Sequence, residues 1–323
     1  MVFQMTHILG DDADSQARRL LGGKGAMLNE LAGMRYPVPH GFVITTKAFD
    51  YYLDSIPCLR DSLVELSNSL SKENLQAALA ITNSVHEQLI SGPLPGELME
   101  SFYDAFAGLG LNAVAVRSSA VAEDGHRKSF AGIYDSVLNV GRTSLATAVR
   151  QVFASAVSSR VLSYQPSCLP SPGFAVVVHA MVDADISGVC YTRATADLCD
   201  EQMRIEAVFG LGEPLLAGEL VPDCYVLDRQ STRVETIRHS AQPRRLALPD
   251  STDTPPTWVE VDEAWQMRPK LDDAQCQEVA NLALDLEKLF EMPCDVEWAI
   301  AHRRVFALQC RPLTRHLTDT RNR

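Results

Sequence analysis

Asp295-Val296-Glu297-Trp298-Ala299-Ile300 and Val305-Phe306-Ala307-Leu308-Gln309-Cys310-Arg311 flank a short polar interval, His302-Arg303-Arg304, and read together as a β-hairpin. Side chains alternate along a strand, so Asp295 and Glu297 share a face, as do Gln309 and Arg311. If His302, Arg303 and Arg304 form the turn, Ala301 pairs with Val305, Glu297 faces Gln309 and Asp295 faces Arg311. Facing Cβ atoms then lie about 5 Å apart. A two-residue turn would slip the register and send Gln309 to the opposite face. A three-residue loop favours glycine at its left-handed position. None stands here, so a bulge is the other way to restore the register. Two oxygen ligands beside an arginine suit Mg²⁺ and phosphates. The plainer alternative is a hairpin with a charged surface. Val296, Trp298, Phe306 and Leu308 weigh against it, because they give the other face an apolar, core-forming character.

Working outward, Asp272 is placed to cap a helix over 273–290 with Val279, Leu282, Leu286 and Leu289 on one face. Upstream lie short strands at Phe174–Met181, Gly188–Thr192, Arg204–Phe209 and Tyr225–Asp228. Pro243 to Pro256 is polar and proline-rich, the pattern of a mobile surface loop. The first half is more helical: residues 60–110 with breaks at Gly92-Pro93 and Pro95-Gly96, then Thr143–Leu162. Strands are expected at Asn112–Val116 and Ile133–Val140, and Thr46 is placed to cap a short helix over Lys47–Leu53. The prolines between Gln165 and Gly173 mark a boundary. The chain therefore reads as α+β in two subdomains, 1–170 and 171–323.

The bulk numbers narrow the function. A chain of 323 residues suits two packed subdomains. A formal net charge of −12 disfavours nucleic acid as a partner, because such binding needs surplus Lys and Arg. No apolar run is long enough to span a membrane, and Met1–Gly10 lacks the build of a signal peptide. The eight cysteines show no zinc or disulfide spacing, which fits reduced thiols in the cytoplasm.

Three further motifs carry chemistry. Gly22-Gly23-Lys24-Gly25 opens a helix, where N–H groups and the positive helix end favour an anion and Lys24 adds a point charge. A solvated lysine beside a helix cap is the alternative. Arg117-Ser118-Ser119 ends a strand and is followed by Ser129-Phe130-Ala131-Gly132, small residues that let backbone N–H groups approach phosphates. A polar β-turn is the alternative there. Glu206-Ala207-Val208-Phe209-Gly210-Leu211-Gly212-Glu213 ends a strand in Gly-Leu-Gly, which permits tight backbone beside a ring or phosphate, or forms a plain turn.

In order along the chain, these motifs resemble the ATP-binding domain of the phosphoenolpyruvate synthase, pyruvate phosphate dikinase and rifampicin phosphotransferase family. Val38-Pro39-His40-Gly41-Phe42-Val43-Ile44-Thr45, Leu138-Asn139-Val140 and Ser187-Gly188-Val189 belong to the same series, and the likeness runs from Gly22 to Thr314. The resemblance implies an ATP-grasp-type fold with a nucleotide cleft between two subdomains. It implies conversion of ATP to AMP and phosphate, with the β-phosphoryl group passing to a histidine on a separate domain or subunit and then to a small-molecule acceptor. It assigns phosphate binding and catalysis to Lys24, Arg117 and Arg311, and Mg²⁺ to Glu297 and Gln309. Asp295 completes that site, Ser129, Ala131 and Gly132 cover the phosphates, and Glu213 joins the nucleotide-binding set. The backbone at Met181 and Val182 is expected to meet the adenine, just after His179.

The sequence departs from the family's pattern in places. His179 stands where glutamine is usual, Arg193-Ala194-Thr195-Ala196-Asp197 replaces Asp-Pro-x-Thr-Gly, and Cys224 replaces an arginine. The phosphocarrier motif Gly-Gly-x-x-Ser/Thr-His is missing from these 323 residues. The expectation is a domain or subunit that works with a phosphohistidine partner. The alternatives are a kinase or ligase acting directly on a small molecule, or a non-catalytic nucleotide-binding partner.

Overall fold

The structure, a computed structural model, describes residues 5–12, 17–121, 133–164, 173–193, 199 and 201–313. They divide into two compact units: residues 1–35, 40–181 and 251–254, and residues 36–39, 182–250 and 255–323. The boundary expected after residue 170 falls instead between Met181 and Val182. The reason is pairing: Phe174–Ala180 lies between two strands of the first sheet, not in the second.

Unit 1 holds strands β1 (Thr6–Ile8), β2 (Gly41–Ile44), β3 (Val114–Ala120), β4 (Ser136–Val140) and β5 (Phe174–Ala180) in the order β1-β2-β5-β3-β4. Its helices are α1 (Ala17–Gly33), α2 (Thr46–Ser55), α3 (Leu59–Ser71), α4 (Leu75–Ser91), α5 (Gly96–Gly108), α6 (Leu145–Ser155) and α7 (Ser159–Tyr164). Phe42, Ile44, Val114, Val116, Val176 and Val178 turn one sheet face into a core with Phe49, Tyr52, Phe102 and Phe153. The short helix expected over 47–53 is capped by Thr45 rather than Thr46. The single helix read over 143–162 is two, α6 and α7. Asp253 bonds to Gly141 N–H (2.6 Å), Thr143 Oγ1 (2.7 Å) and Ser144 Oγ, just ahead of α6. Asn139 Nδ2 donates to the carbonyls of Ser251 (2.9 Å) and Thr254 (2.8 Å). The stretch read as a mobile loop is therefore pinned near its C-terminal end, and it also contains the strand Arg244–Ala247.

Unit 2 is built on β6 (Ile186–Tyr191), β7 (Gln202–Phe209), β8 (Asp223–Asp228), β9 (Val234–Arg238), β12 (Cys294–Ala301) and β13 (Arg304–Pro312), ordered β13-β12-β6-β7-β8-β9. A two-stranded sheet pairs β10 (Arg244–Ala247) with β11 (Thr257–Glu260). Its helices are α8 (Glu213–Leu216), α9 (Glu263–Gln266) and α10 (Asp273–Phe290). The span of α10 is the expected one. Asp272 accepts from Gln275 N–H, and the Gln275 side chain returns a bond to the Asp272 backbone.

Lys270 is fully buried against Asp223, its Nζ 2.8 Å from Oδ1. The Asp223 carboxylate also accepts from Ser240 N–H (2.8 Å), His239 Nδ1 (2.9 Å) and Tyr225 OH (3.2 Å). Burial raises the Asp223 pKa, but the bonds from Lys270, His239 and Ser240 outweigh it and hold the carboxyl below its ordinary value. A depressed carboxylate pKa adds stability above the ordinary value, and that stability is lost as pH falls through the folded value. Asp223→Asn strands the Lys270 charge and is expected to cost about 3–5 kcal/mol in denaturant unfolding at neutral pH. Wild type is also expected to lose part of its advantage over the variant on acidification. A loss below about 1 kcal/mol would mean that the pair is dispensable.

Candidate nucleotide and metal site

The glycine-rich turn and the Arg-Ser-Ser segment, distant in sequence, are joined in unit 1. Gly22 interrupts α1 with φ 71° and ψ −179°, so the regular helix begins beyond it. A Cβ at Gly22 would lie 1.9 Å from the Ser119 carbonyl oxygen. Ser119 Oγ donates to Leu21 O (2.8 Å) and accepts from Gly25 N–H (2.9 Å), clasping the turn to β3. One N–H expected to be open to an anion is therefore already used. Lys24 Nζ reaches Ser118 Oγ at 3.5 Å. Arg117 lies in mid-strand, opposite Ser136 and Val177, and not at a strand end or in a turn. Ser129, Ala131 and Gly132 lie outside the described residues.

His179 pairs with Gly41 and Ala115 and shares the Arg117 face of the sheet. Burial, then the Arg117 charge, lowers its pKa to about 4. Met181 N–H donates to Ala113 O (2.9 Å) and is not open to a base. Val182 begins unit 2.

In unit 2, Glu297 stands opposite Gln309 and Asp295 opposite Arg311, the same-face arrangement expected. The turn that achieves it differs. His302 and Arg303 form a two-residue turn with φ 50° and 60°, and Ala301 pairs with Arg304. The register shifts between Glu297 and Trp298, where Leu308 is bulged out, and this restores the pairing. The correction moves side chains: Val305 and Ala307 join the Trp298 face, and Phe306 leaves it. Ala307 N–H bonds to Pro37 O at 2.8 Å. The Tyr36–Pro39 segment thus contacts the edge strand of its own unit.

The polar face is dense with charge. Arg311 donates to Asp295 Oδ2 (3.2 Å) and lies 3.8 Å from Glu297 Oε1. Asp295 pairs with Tyr191, which pairs with Arg204. Arg204 lies 3.3 Å from Glu206 and sits over the Tyr191 ring at 5.1 Å. Burial raises the Asp295 pKa to about 6; Arg311 opposes the rise, while Glu297 and Glu206 add to it. Tyr191, half-buried beside Asp295 and Glu206, is pushed up to about 12. Tyr191 and Arg204 escaped sequence reasoning, because their row forms only when β12 inserts between β6 and β13.

This face fits a divalent cation. Asp295 Oδ1 is buried with no partner among the described residues, and three carboxylates crowd two arginines. Among the described residues no group of three or more His, Cys, Asp or Glu could hold a metal by protein ligands alone. By contrast, the tight backbone at Gly210 (φ 81°) serves the protein itself. A Cβ there would lie 2.3 Å from Leu246 O of β10, and Ser187 Oγ donates to the Gly210 carbonyl (2.6 Å). Glu213 opens the short helix α8.

The family model described as the pyruvate phosphate dikinase AMP/ATP-binding domain matches residues 18–323. The chain belongs to that family. It is 29% identical to a probable phosphoenolpyruvate synthase of Methanocaldococcus jannaschii, over 94% of this chain and 26% of that protein. It is 32% identical to the prodigiosin synthesizing transferase PigC of Serratia marcescens, over 91% and 31%. It is 30% identical to a rifampicin phosphotransferase of Streptomyces sviceus, over 94% and 35%. The chain thus spans less than half the length of these curated relatives, and its α+β fold is of the ATP-grasp type.

Gly22→Ala would force the turn off β3. It is expected to lower stability by about 1–3 kcal/mol in thermal unfolding and to weaken ATP binding along with it. An unchanged melting temperature would show that the clasp tolerates a side chain.

Proposed function

We propose that the chain binds Mg²⁺-ATP and performs the nucleotide half of a dikinase-type phosphotransfer. ATP is converted to AMP and phosphate, the β-phosphoryl group passes to a histidine on a separate domain or subunit, and a small-molecule acceptor then receives it. The observation that carries this reading is the polar face of β12 and β13, where Glu297, Gln309, Asp295 and Arg311 converge. Family membership supports the nucleotide. The relatives' names support phosphotransfer and leave the acceptor open.

Lys24 and Arg117 would hold the phosphates, and Arg311, braced by Asp295, would orient the group in transit. Glu297 and Gln309 would hold Mg²⁺, which neutralises charge on the phosphate oxygens. The segment around Ser129, Ala131 and Gly132 would cover the phosphates, the Met181–Val182 backbone would meet the base, and Glu213 would join the nucleotide set. We place the protein in the cytoplasm. No described helix is long and apolar enough to cross a membrane, and the described cysteines are free thiols.

Lys24→Ala and Arg117→Ala are each expected to weaken ATP binding about tenfold to 150-fold while the protein stays folded. Unchanged affinity in both would place the phosphates elsewhere. Supplied with ATP and the phosphohistidine domain of a relative, the chain is expected to yield AMP and phosphate. ADP as the sole nucleotide product would favour direct kinase chemistry. Alone, it is expected not to make phosphoenolpyruvate from pyruvate.

A further inference from the structure

We propose that Tyr191 is a further phosphate-binding residue: its hydroxyl donates a hydrogen bond to an oxygen of the metal-bound triphosphate beyond the α-phosphate. The proposal rests on the nucleotide reading above and adds a donor from β6, a strand that contributes no other residue to that reading.

The sheet places the residue. Tyr191 is the cross-strand partner of Asp295 on one side, as Arg311 is on the other. Facing Cβ atoms lie about 5 Å apart, so the tyrosine borders the same carboxylate that braces Arg311. Alternation keeps Tyr191 on the polar face with Glu297 and Gln309, which occupy the next row. The strand end that carries it is fastened twice to β12. Thr192 N–H donates to the Cys294 carbonyl (2.9 Å), and Cys294 N–H donates to Thr192 Oγ1 (2.8 Å). The Arg204 guanidinium sits 5.1 Å from the centre of the Tyr191 ring. The side chain is thus held on a regular strand before a ligand arrives.

The hydroxyl is available as a donor. Tyr191 is half-buried, and among the described residues its hydroxyl makes no hydrogen bond. Burial first, then the Asp295 and Glu206 charges, push its pKa up, while Arg204 and Arg311 oppose the rise. The phenol therefore keeps its proton at physiological pH and has an O–H to give. Both guanidiniums on this face are already engaged with carboxylates: Arg311 lies 3.2 Å from Asp295 and Arg204 3.3 Å from Glu206. The carboxylates themselves only accept. A phosphate oxygen drawn to the Glu297 and Gln309 row by Mg²⁺ needs donors, and Tyr191 supplies one without adding charge. A hydrogen bond to an ionised acceptor is of the stronger kind.

Calorimetry with the full chain and Mg²⁺ tests this with ATP and with AMP, which lacks the outer phosphates. Tyr191→Phe removes one oxygen and leaves the ring beside Arg204. The variant is expected to bind ATP about tenfold more weakly than wild type and AMP equally well, with an unchanged melting temperature in the absence of ligand. Equal ATP affinity in wild type and variant would overturn the assignment. So would a variant that loses ATP and AMP affinity alike, or that melts earlier by enough to account for the loss, because the hydroxyl would then be structural. Wild type that binds no triphosphate at all would overturn the nucleotide reading along with it.

Discussion

The two-residue turn at His302-Arg303 and the bulged Leu308 work against each other, and the polar face of unit 2 depends on their sum. A tight turn alone would leave Gln309 on the side of the buried Trp298. An amide stranded there costs about 1–3 kcal/mol. The bulge forgoes one ladder pairing and returns Gln309 and Arg311 to the face of Asp295 and Glu297. Ala307 N–H, next to the bulge, is satisfied by Pro37 instead. Gln309 and Arg311 take their places on this face from that one extra residue, while Tyr191 and Arg204 reach it through the regular pairing of β12 with β6 and β6 with β7.

Unit 1 rests on a smaller constraint. The Ser119 hydroxyl uses both its hydrogen and a lone pair on the turn at Leu21–Gly25. Only glycine fits at position 22, since the backbone there has positive φ and meets the Ser119 carbonyl. Lys24 and Arg117 are thereby fixed on neighbouring elements without any contact between their charged groups being needed to hold them.

Much of this could be read in the sequence, for identifiable reasons. Asp272 announces the start of α10 as a capping residue, and alternation along the last two strands sets which side chains share a face. The Gly22–Gly25 and Arg117–Ser119 motifs were visible one at a time. Their clasp was not, because it joins residues 94 and 98 positions apart. The bulge stood as an alternative that periodicity could not choose. The allocation of Phe174–Ala180 to unit 1, and of Ser251–Thr254 with it, depends on non-sequential pairing and on a distant Asn139, which local patterns do not encode. Gly210 looked like a ligand turn because a close-approach glycine reads the same whether a phosphate or another strand lies against it.

The account's central claim is that the carboxylates and amide of the hairpin serve a metal-bound triphosphate. Calorimetric titration of ATP into the intact chain, with Mg²⁺ and then with EDTA, tests it most directly. One binding event that depends on Mg²⁺, and that Glu297→Gln weakens, is the result expected. Equal affinity in EDTA, or a Glu297→Gln variant indistinguishable from wild type, would contradict it.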